Sequence, residues 1–318
     1  MNVDVAVRDI RAAFEAPRGA VTALLGPNGA GKTTVLRAIA EAASERVGLM
    51  FQDHLLFPHM TALDNVAFGP RCQGASKSAS REVAHAWLTR VGLASHAHAK
   101  PRTLSGGQAQ LVALARALAS EPNVLLLDEP LAALDATTRV AVRRDLRRYL
   151  AEFAGPTVLV THDPVDAYLL ADTVVVIENG AVTQTGTIAE ITARPASRYV
   201  ADLVGTNLVR GHANGTVLTL DAGAELVIAE PLDGPTLATI APEAITLHRD
   251  EPKSSARNHW HATVVHLDPA GSRVRVQLDD PLPVVAEITA AARDELNLRE
   301  GAQVWASVKA TEITTYPA

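Results

Sequence analysis

The chain has 318 residues, a net charge of −6 and 47% apolar residues with few aromatics. That length predicts two domains, each able to bury its own core, and the acidic balance excludes a nucleic-acid footprint. No stretch approaches the roughly 18 uncharged apolar residues that span a bilayer, Met1-Asn2-Val3-Asp4 does not begin a basic-then-apolar leader, and the lone Cys72 excludes an internal disulfide framework, so a soluble cytosolic protein is expected.

Residues 3–7 alternate apolar and polar side chains and read as a strand, with a second over 12–15 and a turn at Pro17-Arg18-Gly19. An apolar run over 21–25 reads as a buried strand, and 34–40 as a helix reaching about residue 43. Between them lies Gly26-Pro27-Asn28-Gly29-Ala30-Gly31-Lys32-Thr33, a G-x-x-x-x-G-K-T phosphate loop in the strand–loop–helix context it requires. Its glycines let several N–H groups converge on phosphates, and the helix opening at Thr34 adds its positive end. Lys32 supplies a point charge for the outer phosphates, and Thr33 a hydroxyl for Mg2+.

A short strand over 47–51 ends at Gln52. Thr61 is placed to cap a helix through Leu63 and Val66. Residues 69–80 read as a loop, and 81–91 as an amphipathic helix with Val83, Trp87, Leu88 and Val91 at helical spacing. Leu104-Ser105-Gly106-Gly107-Gln108 precedes an alanine-rich helix over 110–119, where a Ser-Gly-Gly turn exposes backbone donors and a hydroxyl toward an anion. The run 124–127 suits a parallel strand covered on both faces. Asp128 and Glu129 stand at its C-terminal end, where ligands bind in such sheets. Asp128 suits the Mg2+ shell, and Glu129 can orient and polarise an attacking water.

Residues 131–135 lead into a helix over 138–153. An apolar strand over 157–161 ends at His162, beside the expected phosphate site, where it suits a γ-phosphate contact. A further strand over 173–177 closes with the Glu178-Asn179-Gly180 turn. Apolar strands alternating with helices predict a largely parallel α/β sheet to about residue 206. Short strands then follow over 217–220, 225–229, 262–267, 273–278, 284–288 and 304–308, with one helix over 291–296, which predicts a small β-barrel or sandwich. The stretch 250–255 reads as a divider between two halves of it.

With these motifs in this order, residues 20–206 resemble the ATP-binding subunit of an ABC transporter. Gly26 to Thr33 is similar to the Walker A loop, Gln52 to the Q-loop glutamine, and Leu104 to Gln108 to the signature motif. The run ending at Asp128 and Glu129 is similar to Walker B with the catalytic glutamate, Ala132 to Asp135 to the D-loop, and His162 to the switch histidine. The resemblance implies a P-loop NTPase (ABC ATPase) domain over 1–206 and a small all-β, OB-like regulatory domain over 207–318. It implies ATP held by Gly26, Pro27, Asn28, Gly29, Ala30, Gly31, Lys32, Thr33 and Thr34 in a head-to-tail homodimer. There the other subunit's Ser105, Gly106, Gly107, Gln108 and Asp135 would close the site. Glu129, His162 and Gln52 would serve catalysis, and Thr33, Gln52 and Asp128 would serve Mg2+. It further implies a transmembrane permease docked over residues 53–66 at the cytoplasmic face of the membrane, and indirectly an external oxyanion-binding protein.

Ser254-Ser255-Ala256-Arg257-Asn258 and Ser307-Val308-Lys309-Ala310-Thr311 resemble the paired segments of molybdate-binding β-domains. That resemblance implies molybdate or tungstate held by Ser255, Arg257 and Lys309, since a small dianion needs several fixed donors. The expected activity is MgATP hydrolysis driving molybdate import. A sulfate, iron or sugar importer shares every motif to residue 206, and a nucleotide- and oxyanion-binding regulator without useful hydrolysis is the reading from another class. Two features depart from the family. Only 20 positions separate Lys32 from Gln52, where the family has some tens more. Near the N-terminus, Phe14 is the only candidate to stack on adenine, and its spacing suggests core.

Overall fold

The computed structural model describes residues 1–7, 9–53 and 55–318, which divide into two compact units, Met1–Ile191 and Thr192–Ala318. The domain boundary read at residue 206 lies beyond this division, and 192–206 belong to the second unit.

In the first unit, β1 (Asn2–Val7) and β2 (Ile10–Glu15) form an antiparallel ribbon. The wholly buried β3 (Val21–Leu25) feeds the phosphate loop into α1 (Lys32–Ala42). Residues 43–46 alone join α1 to β4 (Val47–Met50), so the segment between Lys32 and Gln52 is short in the fold itself. The helices α2 (Ala62–Cys72), α3 (Lys77–Arg90) and α4 (Gly106–Ala119) follow. Then come β5 (Val124–Asp128), α5 (Ala136–Glu152), β6 (Thr157–Val160), α6 (Pro164–Leu170), β7 (Thr173–Glu178) and β8 (Ala181–Gly186). The eight strands lie in the order β1-β2-β8-β7-β3-β6-β5-β4. The central neighbours β7, β3, β6, β5 and β4 are parallel, as their uninterrupted apolar sequences require.

The loop expected over 69–80 shrinks to 73–76. Gly69 and Pro70 read as breakers, yet α2 carries them in its last two turns. Pro70 is buried there, and a Cβ on Gly69 would lie 2.9 Å from that of Ser120, so close packing against the end of α4 outweighs their poor helix propensity. Ser76 then caps α3 through the Ala79 N–H. Phe14 is 8% exposed and lies among Val3, Val5 and Leu36 in a core cluster, as its spacing suggests.

α7 (Ile188–Ala193) spans the division, and α8 (Arg198–Val204) opens the second unit proper. Its strands are β9 (Asn207–Leu220), β10 (Glu225–Ile240), β11 (Thr246–His248), β12 (Asn258–Ala270), β13 (Arg273–Asp279), β14 (Val284–Thr289), β15 (Gln303–Val308) and β16 (Ile313–Pro317). α9 (Ala290–Glu295) interrupts them. They form antiparallel sheets ordered β16-β10-β9 and β11-β15-β12-β13-β14. β9 and β10 run far beyond the short strands expected, because glycines, Asn214 and Pro235 obscure an antiparallel pairing that the partner strand supplies, with a register shift between Val227 and Leu232. Leu218 and Leu226 of one sheet share a core with Val264 and Val276 of the other. The stretch 250–255, read as a divider, joins β11 to β12, which both pair with β15.

Candidate functional site

Two parallel pairings, joined through β5 and β6, bring the sequence motifs to one edge of the first unit's sheet. Leu24 lies beside Val160, so Gly26 lies level with His162; Met50 lies beside Leu127, so Gln52 lies level with Glu129. Gly26 has φ 153°, and a Cβ there would stand 2.0 Å from the Ile177 carbonyl oxygen, so only glycine lets the loop leave β3 at this angle. Gly31 (φ 100°) is the N-cap of α1, and a Cβ there would meet Ile10 at 2.5 Å. The helix therefore begins at Lys32, two residues before Thr34, with no acid in its first turn to offset its positive end.

Lys32 is 7% exposed, and its ammonium donates to the carbonyls of Gly26 (2.7 Å) and Pro27 (2.9 Å). Burial lowers its pKa, against the pull of the Glu129 and Asp128 charges. Thr33 Oγ1 donates to Asp128 Oδ2 at 2.8 Å. Asp128 is 1% exposed, and its Oδ1 is buried without a hydrogen-bond partner among the described residues. Hard oxygens at Thr33 and Asp128, one of them unsatisfied, fit Mg2+.

Burial raises the Asp128 pKa, with the Glu129 charge adding to it, while the Thr33 hydrogen bond, Lys32 and Arg37 oppose. The folded chain thus holds this proton more tightly than the unfolded chain does. The stability linked to that proton is complete below the ordinary aspartate pKa and is lost as pH rises through the elevated folded value. Asp128→Asn is therefore expected to raise the unfolding midpoint of the nucleotide-free chain at pH 8, on the order of a few °C. The gain should shrink at pH 4. Thermal scans at both pH values check this, and an equal or lower midpoint at pH 8 would refute it.

Glu129 sits in the left-handed region (φ 49°), and its N–H donates to the Val160 carbonyl at 2.9 Å. Its carboxylate accepts from Gln52 Nε2 (3.3 Å) and lies 3.3 Å from His162 Nδ1. These three expected residues are therefore brought together. The loop bearing His162 is braced at both ends. Thr161 Oγ1 accepts the Asp163 N–H, Asp163 caps α6, and Arg143 ties Asp163 and Asp166 to α5.

Ser105 caps α4 in a reciprocal box with Gln108, whose amide also reaches His96 Nε2 at 3.2 Å. The helix thus opens at Gly106, earlier than the expected residue 110. Ser105 and Gly106 are exposed, while a Cβ on Gly107 would lie 3.2 Å from the Ala133 carbonyl oxygen, so the Ser-Gly-Gly turn rests on residues 133–134 of its own chain. Asp135 accepts from the N–H groups of Thr137 and Thr138, which lowers its pKa and makes it the cap of α5. Sequence reasoning missed Gln110. It is 1% exposed, donates to the Glu129 carbonyl (2.7 Å) and accepts from the Ala133 N–H (2.9 Å), linking the carboxylate end of β5 to the D-loop and α4. The available signal was a glutamine at the head of the apolar run Leu111 to Ala115.

In the stretch 53–66, His54 lies outside the described residues. Leu55 is exposed, Phe57 packs on Phe68 with centroids 4.6 Å apart, and buried Asn65 both accepts the Phe57 N–H and donates to its carbonyl. Thr61 caps α2 as expected.

In the second unit, Ser255 and Lys309 line one cavity of about 490 Å³ with Thr246, His248, Ser254 and Ser307. Arg257 does not line it. Asn258 is turned inward by two bonds to the Val227 backbone, and the preceding Arg257 is left exposed.

The family model described as ABC transporter matches residues 11–48 and 40–132, and the TOBE domain model matches 254–314. The molybdenum import ATP-binding protein ModC of Mycobacterium tuberculosis is 40% identical, covering 99% of this chain and 96% of that protein. The molybdate/tungstate import ATP-binding protein WtpC of Pyrococcus horikoshii is 36% identical over 96% of this chain and 94% of its own. An Fe(3+) ions import ATP-binding protein of Brucella abortus is 37% identical over 82% and 80%. The ATP-binding cassette MJ0796, solved as a dimer bound to ADP and Pi, matches with TM-score 0.52 and 27% identity over 59% of this chain and 96% of its own.

Proposed function

This chain belongs to the ABC transporter ATP-binding proteins, and we propose that within them it is the subunit whose ATP hydrolysis drives import of molybdate or tungstate. The observation that carries this reading is the reach of the likeness. It runs through the second unit to nearly full length for the molybdenum and molybdate/tungstate proteins, and over a shorter span for the iron protein. The cavity holding Ser255 and Lys309 is compatible with an oxyanion sensor in the same unit.

Lys32 and the N–H groups at the start of α1 would hold the outer phosphates of ATP. Thr33, Asp128 and Gln52 would hold Mg2+, which when bound neutralises charge on the phosphates. Glu129 accepts the proton of the attacking water, and His162 orients that carboxylate toward the γ-phosphate. Two copies would pair head to tail, the exposed Ser105-Gly106 turn of one closing the nucleotide of the other. The stretch 53–66 would receive a permease at the cytoplasmic face, and the permease would take cargo from an external binding protein.

Deleting this chain from its host is expected to reduce uptake of radiolabelled molybdate at nanomolar supply to background and to leave iron uptake unchanged. Loss of iron uptake with intact molybdate uptake would overturn the cargo assignment.

A further inference from the structure

The cavity of the second unit contains a side chain that neither the motifs nor the oxyanion reading uses. His248 ends β11, and its Nε2 lies 2.8 Å from Ser307 Oγ on the adjacent β15. Both residues line the cavity with Ser255 and Lys309. Ser307 is 4% exposed, so water does not compete freely for its hydroxyl.

A serine has one O–H proton to donate. With a neutral imidazole accepting at Nε2, the Ser307 proton points at His248, and the oxygen turns lone pairs toward the cavity. Those lone pairs repel an oxyanion. With a protonated imidazole, Nε2–H must donate, so the Ser307 oxygen accepts and its proton turns outward. From the Nδ1–H tautomer, one proton on His248 thus adds a positive charge and converts Ser307 from acceptor to donor on the cavity side.

We propose that His248 and Ser307 form a proton-operated donor switch, so that oxyanion binding in this cavity takes up a proton. The inference rests on the oxyanion reading above and adds its regulation. The charged surroundings bear on the sign. Lys309, beyond β15, attracts a dianion, whereas Glu243 and Glu312, from the short helical turns 242–244 and 310–312, line the same cavity and repel it. On β12, His259 faces Glu251 at 3.4 Å, and His261 packs edge-on against Trp305. The His248→Gln variant separates the contribution of His248 from those of Glu243, Glu312, Glu251, His259 and His261.

The test is calorimetric titration of the full chain with sodium tungstate between pH 6.5 and 8.5, in two buffers of different ionisation enthalpy. Affinity should fall as pH rises, by up to about tenfold per unit, with uptake of about one proton per anion at the alkaline end. His248→Gln should bind with an affinity that varies less than about twofold over this range. Ser307→Ala should weaken binding at pH 6.5 and reduce its pH dependence. Thermal unfolding confirms that the variants are folded, and the native titration stands without them. Binding by the native chain that does not change with pH, or a slope retained in His248→Gln, overturns the switch and leaves the oxyanion reading standing. Absence of binding at every pH overturns both.

Discussion

Glu129→Gln is expected to lower ATP turnover by about 100-fold or more while nucleotide affinity stays within a few fold of native, because loss of a positioned general base costs about 10²–10⁴ in rate. The residue suits this loss of function without collapse. Its backbone is set by the Val160 carbonyl and by Gln110, neither of which depends on the side-chain charge. Its side chain is held between Gln52 and His162, and glutamine has the same shape and can still accept from Gln52. What glutamine cannot do is take a proton from water. The measurement is single-turnover hydrolysis beside equilibrium binding of a fluorescent nucleotide. Turnover within about threefold of native would remove Glu129 from the proton-accepting role.

The second large effect concerns sites shared between subunits. Ser105→Arg and Lys32→Ala are each expected to abolish hydrolysis in a homogeneous preparation. An arginine at the exposed cap of α4 would project toward the facing nucleotide, and without Lys32 the outer phosphates lose their buried cation. Mixing the two dead variants should restore activity. In a mixed head-to-tail dimer one site carries both defects and the other carries neither, so random pairing gives up to roughly a quarter of native turnover. Ser105→Ala separates blockage from loss of the cap, since it removes only a contribution of about 1 kcal/mol to the helix. No recovery on mixing, with dimers verified by chromatography, would reject sharing and place a complete site within one chain.

The same residues show how far the sequence could be read. The phosphate loop, the two carboxylates at the end of β5 and the histidine after β6 were legible because each is a contiguous motif at the end of an apolar strand. The short link from Lys32 to Gln52 was countable, and the structure closes it with four residues between α1 and β4. Gly69 and Pro70 misled, because local propensity signals a break while packing against Ser120 retains the helix. Arg257 belongs to a segment resembling an oxyanion motif, yet Asn258 is drawn inward beside it, and Arg257 is exposed and not among the residues lining the cavity.

By itself, the sequence determined which chemical groups exist and their order along the chain, and from these the α/β and β units and the nucleotide motifs follow. Only the tertiary structure decided which groups meet. Gln52 faces Glu129 because β4 and β5 pair with Met50 beside Leu127. Gln110 bridges Glu129 and Ala133, and His248 finds Ser307, through packing and pairing between residues far apart in sequence. The physical reason is that a strand's register moves every side chain by a whole residue and reverses its face. That choice is made by burial summed over the whole sheet, so no short stretch of sequence contains it.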